Sequence, residues 1–159
     1  MRIATFCAAG VLALTSACAS GPSEIFDPED PAVLAVIDSI MTVTMEAAAR
    51  VDPVGVLAGA GGGEEFALVT GDVMLTGVET VQEAFTDTYD GLLSQDQTMF
   101  ERRTRLLAPG VVVYSAVGEG TYTDKAGWTS EPVGLGITVV FVLEDGRCTA
   151  RHVHQSIAK

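Results

Sequence analysis

Basic residues are scarce in this sequence, and their scarcity argues against two classes of partner. Nine Lys and Arg stand against 21 Asp and Glu, so the formal net charge is −12 at neutral pH. Proteins that bind nucleic acid, or that lie on anionic lipid, need clusters of Lys and Arg. We therefore expect no nucleic-acid partner and no peripheral attachment to a membrane surface. The negative charge favours solubility through self-repulsion.

Cysteine and histidine are also rare, which leaves no framework for disulfides or metal ions. Of Cys7, Cys18 and Cys148, only Cys148 lies in the body of the chain, without a partner there. His152 and His154 could hold zinc together, but Cys148 is roughly 13 Å from His152 along an extended strand, too far to be a third ligand. The sequence predicts neither a metal site nor a cofactor.

The glycine-rich stretch 59–63 is not a phosphate-binding loop. It lacks the Lys and Ser/Thr that follow the glycines in such loops. We interpret it as a flexible connection between two elements.

The apolar run at the N-terminus is too short to cross a bilayer. It extends from Ile3 to Leu14 after the positively charged Arg2, whereas a membrane helix needs about 20 such residues. A positive end, a short apolar run and a small-residue exit at 15–19 are typical of a secretory signal peptide. We predict that residues 1–17 are removed on export. This removes Arg2 and changes the net charge from −12 to −13.

Two cleavage patterns are open at the end of this signal peptide. Leu14 to Cys18 resembles the lipobox of bacterial lipoproteins, where cleavage precedes a cysteine that then carries lipid, although Thr15 occupies the usual leucine position. Ala17-Cys18-Ala19 has the small-x-small pattern of ordinary cleavage. With lipid on Cys18 and Ala19 in place of an aspartate, the resemblance implies an anchor in the outer membrane, on the periplasmic side of the cell envelope. Ordinary cleavage predicts a soluble periplasmic or secreted protein.

The rest of the chain divides into a tether and one domain. Residues 18–29 are small, polar and contain proline, which suits a tether. Residues 30–159 are long enough for one domain with its own core.

Helices precede strands within this domain. Asp30-Pro31 and Asp52-Pro53 each combine an N-cap with a proline in the first helical turn, the second of them for a short helix at 54–58. Thr76 to Glu79 has capping-box spacing for a third helix, whose buried side includes Leu92. Strand periodicity follows at 101–107, 111–122, 133–143 and 147–157. Helices first and antiparallel strands afterwards indicate an α+β domain.

Two stretches also carry a resemblance to a known superfamily. Residues 76–85 read TGVETVQEAF, and residues 146–156 read GRCTARHVHQS. The first is similar to the helix start that follows the first strand in nuclear transport factor 2-like (NTF2-like) proteins of the SnoaL-like and DUF4440 groups. The second is similar to their last strand, which typically reads Gly-Arg-Trp-x-Ile-x-His-x-His-x-Ser. The resemblance covers about residue 30 to the end. It implies a cone in which a strongly curved, mostly antiparallel sheet packs on three helices of the N-terminal half and encloses a pocket.

Two departures from the family pattern affect the expected pocket. Cys148 and Ala150 stand where the family has tryptophan and isoleucine. Their small size predicts either an enlarged pocket or a large side chain from elsewhere filling the space, with Phe85, Phe100 and Trp128 as candidates.

A third departure concerns catalysis. Relatives with isomerase or cyclase activity place an acidic residue near the first strand, whereas the segment 66–71 has no acid and Asp72 follows it. The catalytic mechanism of those relatives is therefore not carried over to this chain.

Strand alternation groups candidate site residues in the last strand. Cys148, Ala150, His152, His154 and Ser156 share one face, and the resemblance implies that this face looks into the cone. Either histidine could move a proton near neutral pH, so His154 and His152 are candidate catalytic residues. The remaining candidates would bind a ligand: Ser156, Cys148, Tyr114, Glu119, Tyr122 and Trp128.

Three functions are open on this basis. The first is a protein that binds a small, mostly apolar molecule in its pocket. The second is an isomerase- or hydrolase-type enzyme that uses His154 or His152 as general base. The third is a non-catalytic module that forms a homodimer through the outer face of the sheet, as proteins of these families often do.

The membrane anchor can be tested by one substitution. In Cys18→Ala the lipid attachment site is lost, and we expect the protein to move from the membrane fraction to the soluble periplasm, because several acyl chains are needed for stable anchoring. Cell fractionation measures the distribution. A variant that stays in the membrane fraction, or a wild-type protein that is soluble without lipid on Cys18, would favour ordinary cleavage.

Overall fold

A computed structural model describes residues 31–144 and 146–158 of the chain. The predicted signal peptide at 1–17, the tether at 18–29 with Cys18, and the cap at Asp30 lie outside these residues. Those expectations stay predictions.

The first helix, α1 (Pro31–Ala49), begins at the predicted proline and packs on the sheet. Val33, Ile37, Ala47 and Ala48 are buried on one side of it, as helical spacing predicts. The opposite side is also apolar, and Val36 remains 46% exposed. By length and hydropathy alone α1 could therefore cross a membrane. Helices that pack inside a domain meet the same criterion, and α1 packs against the third strand.

The short second helix is a single 3₁₀ turn, Gly55–Leu57, instead of the predicted helix 54–58. Its N-cap is Val54 and not the predicted Asp52. The carboxylate Oδ1 of Asp52 nevertheless accepts hydrogen bonds from the N–H of Val54 at 3.1 Å and Gly55 at 2.9 Å. A second 3₁₀ turn follows at Gly63–Glu65. Two α-helices and these turns therefore cover the sheet, where three helices were predicted.

The glycine-rich stretch between the two turns is packed, which corrects its interpretation as a flexible connection. The N–H of Gly61 donates to the carbonyl of Ala150 at 2.9 Å, and the N–H of Ala150 donates to the carbonyl of Gly59 at 2.8 Å. A Cβ atom at Gly61 would lie 2.5 Å from the Cβ of Thr149. Glycine is therefore needed here for a close backbone approach.

The third predicted helix is α2 (Val78–Tyr89), and both of its ends differ from expectation. Thr76 lies in the preceding strand, and the N-cap is Gly77 without a side-chain capping bond. Leu92, predicted on the buried side of the helix, is the first residue of the following strand, so that strand is longer than the predicted 101–107. Because polar residues lie on both faces of this strand, its sequence does not show the usual alternation of polar and apolar residues.

Six strands form one mixed sheet in the order β2-β1-β6-β5-β4-β3. Only β1 and β6 are parallel; the other neighbours are antiparallel. The strands are β1 (Ala67–Thr70), β2 (Val73–Thr76), β3 (Leu92–Ala108), β4 (Val111–Asp124), β5 (Val133–Glu144) and β6 (Arg147–Ile157). One face of this sheet packs on α1 and α2, with Ile37, Phe66, Val81, Val112 and Phe141 fully buried between the layers. The predicted α+β class is confirmed.

A β-bulge interrupts β6 at Arg151. Ala150 is opposite Phe141 and His152 is opposite Val140, so Arg151 is an extra residue without a partner on β5. Its guanidinium forms ion pairs with Glu144 at 2.8 Å and Glu65 at 3.7 Å. The bulge reverses the inward and outward positions of all the residues that follow it in β6.

The packing of the glycine-rich stretch can be tested by adding one methyl group. Gly61→Ala forces a Cβ against Thr149, and we expect it to lower the free energy of unfolding by about 1–3 kcal/mol through overpacking. Gly91→Ala is the matched control, because a Cβ there meets no atom within 4 Å; its effect should stay within about 0.5 kcal/mol. Urea unfolding measures both, and equal effects would contradict the packed stretch.

Candidate functional site

A cavity of about 560 Å³ lies between the helices and the covered face of the sheet. Pockets of about 300–1,000 Å³ are usual for small-molecule sites. Its lining is mainly apolar and comes from both helices and from all the strands of the sheet. The apolar side chains include Ile40, Met41, Phe66, Leu68, Leu75, Val81, Phe85, Ile137, Val139, Phe141 and Val153.

Small residues leave the space that larger side chains would fill. Ala48, Ala60, Ala84 and Ala150 line the cavity, and Gly59 lies beside them. Of the three large side chains considered as fillers, Phe85 lines the cavity, whereas Phe100 is 65% and Trp128 is 56% exposed. The space beside Ala150 is therefore cavity, although Cys148 is not among its lining residues.

Three polar side chains form a chain along one wall. The Nε2 of Gln97 donates to the Oε1 of Gln95 at 3.3 Å, and the side chain of Gln95 lies close enough to the hydroxyl of Tyr89 to influence its pKa. The pKa of Tyr89 is raised, chiefly by burial; Gln95 lowers it and the negative charge of Asp52 raises it. Tyr89 therefore stays a neutral phenol at physiological pH.

A second polar pair lies on the same face of the sheet, several strands away. Thr70 of β1 is opposite Gln155 of β6 in the parallel pairing, and both line the cavity. Hydrogen-bonding groups therefore face the cavity from β1 and β6 as well as from β3.

No Asp, Glu, His, Lys or Arg is among the described residues that line this cavity. Tyr89 and Tyr122 are its titratable groups. The lining can therefore bind a molecule by apolar contact and neutral hydrogen bonds, but it offers no carboxylate or imidazole for proton transfer.

The prediction that His152, His154 and Ser156 face the cavity with Cys148 and Ala150 is wrong. Ala150 lines the cavity, but after the bulge it is Val153, Gln155 and Ile157 that do so. Because Arg151 adds one residue, the histidines and Ser156 lie on the outer face of the sheet.

His154 and Ser156 line a separate, shallower groove of about 340 Å³ on that outer face. Thr138 and Ser115 form its floor on the neighbouring strands. At its edge the guanidinium of Arg103 pairs with Glu101 at 2.9 Å. This groove is open and its lining is mixed, with Ala116, Val117 and Ile137 beside the polar groups. The sheet separates it from the cavity.

Three other candidate residues do not reach the cavity either. Tyr114 is buried in the core, where burial chiefly raises its pKa, Arg102 lowers it and Asp38 raises it. Glu119 is exposed on the outer face, opposite Thr98 of β3. Cys148 packs at the margin of the core, and burial raises the pKa of its thiol, which keeps it protonated and unreactive.

Tyr122 lines the cavity, and Trp128 lies against it. The two rings meet edge to face with centroids 5.7 Å apart. Asp124 holds the loop that carries Trp128, since its Oδ1 accepts the N–H of Ala126 at 2.8 Å and of Trp128 at 2.9 Å. Trp128 itself, a predicted ligand-binding residue, is not among the residues that line the cavity.

Sequence reasoning missed Tyr89, Gln95, Gln97, Thr70 and Gln155. Gln95 and Gln97 have the i, i+2 spacing of one strand face, and this spacing could have indicated a polar wall. The signal was missed because the predicted helix included Leu92 and the next predicted strand began only at residue 101.

No cluster of three or more His, Cys, Asp or Glu side chains within residues 31–144 and 146–158 could hold a metal ion. The properties of the cavity therefore rest on its apolar walls and neutral polar groups.

No protein-family model and no curated protein matches the sequence. Solved structures do match. An NTF2-like superfamily protein from Salmonella enterica serovar Typhimurium LT2 is 14% identical, with a TM-score of 0.71 over 80% of this chain and 92% of that chain. A ketosteroid isomerase-like protein from Erwinia carotovora atroseptica SCRI1043 is 18% identical, with a TM-score of 0.65 over 79% and 96%. An NTF2-like protein of unknown function from Shewanella oneidensis MR-1 is 17% identical, with a TM-score of 0.61 over 78% and 98%. At these identities the likeness establishes the fold alone, and the chain adopts the NTF2-like α+β fold.

Proposed function

We propose that this chain is an exported protein of the SnoaL-like type that binds a small, mostly apolar molecule in the cell envelope. The observation that carries the proposal is the 560 Å³ cavity with its largely apolar lining. A folded domain does not normally keep so large an apolar space, because cavities cost about 24 cal/mol per Å³. Binding a ligand would recover the lost contacts.

The enzyme alternative has less support. The neighbour described as ketosteroid isomerase-like makes isomerase chemistry a reasonable comparison. However, the described lining offers no carboxylate or histidine, and His152 and His154 lie on the opposite face of the sheet. Binding without acid–base catalysis is therefore favoured.

Location and assembly complete the proposal. The N-terminal pattern supports export and a lipid anchor at Cys18, with the domain on the periplasmic side of the outer membrane.

The outer face of the sheet supports a homodimer, because Met74 and Val117 are exposed there at 67% and 52%. Light scattering of the domain tests the dimer.

Filling the cavity tests the binding proposal. Val153→Trp places an indole inside the cavity, and we expect it to weaken binding of Nile red, an uncharged apolar dye, by at least about tenfold. The matched control is His154→Trp, which adds the same side chain at the next residue but on the outer face, and should leave dye binding unchanged. Dye fluorescence during titration measures both.

Melting temperatures of the two variants separate lost binding from lost folding. Equal dye affinity in wild type and Val153→Trp, with both folded, would contradict a ligand site in this cavity. Native mass spectrometry of purified protein would in addition identify a retained molecule.

A further inference from the structure

The cavity combines hydrogen-bonding groups with a lining that carries no charge. Its polar contributions come from threonine, glutamine and tyrosine, and the described lining contains no acidic, basic or imidazole group. A ligand that brings a formal charge into this space would lose its hydration without gaining a partner of opposite charge.

Anions are disfavoured further by the surrounding charge. The chain carries a net charge of −12, and the carboxylate of Asp52 is close enough to raise the pKa of Tyr89 on the cavity wall. Because the Asp52 carboxylate is not among the lining groups, it also provides no direct partner for a buried cation.

One wall does provide a docking point for an uncharged polar group. Within the chain Gln97–Gln95–Tyr89, the amide oxygen of Gln95 accepts the hydrogen bond from Gln97, and Gln95 lies beside Tyr89, whose pKa it lowers. The carbonyl of Gln97 and the hydroxyl of Tyr89 lie at the two ends of this chain. They supply an acceptor and a donor to a hydroxyl or amide group.

We infer that the cavity selects uncharged amphiphilic molecules, with an apolar body against the aromatic and aliphatic walls and a hydroxyl or amide head at the Tyr89–Gln95–Gln97 chain. This inference rests on the proposed binding function and adds the class of ligand and the position of its head group.

Three ligands with the same alkyl chain and different charge test it. Full-length purified protein is titrated with decan-1-ol, decanoate and decylammonium at neutral pH, and binding is measured by calorimetry. Decan-1-ol should bind at least about tenfold more tightly than either charged ligand.

The results test the selection for uncharged ligands separately from the proposed binding function. If decanoate or decylammonium binds as tightly as decan-1-ol, selection for uncharged ligands is overturned while the binding function stands. If none of the three binds, the proposed binding function fails and the inference fails with it.

Changing the charge of the wall tests the position of the head group. Gln97→Lys should bind decanoate at least about tenfold more tightly than wild type does, because it places a cation where the head lies. Thr98→Lys is the matched control: Thr98 is the next residue of β3, is exposed, and lies opposite Glu119 on the outer face. It should leave all three affinities unchanged.

A second pair of variants, with an acidic residue in place of the lysine, tests the same head-group position if Gln97→Lys does not fold. Gln97→Glu should favour decylammonium over decan-1-ol, whereas Thr98→Glu should behave as wild type. Melting temperatures establish folding. Folded Gln97 variants whose ligand preference equals that of their Thr98 controls would overturn the assignment of the head group to this wall.

Discussion

A single extra residue in β6 determines which side chains of that strand face the cavity. Arg151 has no partner on β5, and two carboxylates, of Glu144 and Glu65, hold its guanidinium. Because side chains alternate along a strand, one unpaired residue exchanges the two faces for the rest of its length. The cavity therefore receives Val153, Gln155 and Ile157, and the outer groove receives His154 and Ser156.

The cavity exists because few helical elements pack on this face of the sheet. Among the described residues, two α-helices and two 3₁₀ turns lie over six strands, and α1 contacts β3 while α2 contacts β1, β2 and β3. Alanine and glycine face the cavity from both layers, so the layers meet without filling the volume between them. Core contacts around Phe66 and Phe141 hold the layers together on one side of this space.

The charged side chains of this molecule and the neutral hydrogen-bonding groups of its cavity lie in different places. The acidic side chains that give the chain its negative charge lie away from the cavity lining, with Asp52 the nearest to influence a wall residue. Inside, the amide of Gln97 donates to the amide oxygen of Gln95 beside Tyr89. The carbonyl of Gln97 and the hydroxyl of Tyr89 stay available to an uncharged partner.

Local patterns in the sequence were sufficient for the order and class of the elements. Proline in the first helical turn placed the start of α1, and helices before strands gave the α+β class, because these features depend on neighbouring residues. The face of His152 and His154 could not be obtained in this way. It depends on Arg151 bulging against β5 and pairing with Glu144 and Glu65, and only the tertiary structure brings these residues together. The same holds for the polar wall. Tyr89 ends a helix, Gln95 and Gln97 lie in the next strand, and packing of the helix on the sheet brings the three together on one wall of the cavity.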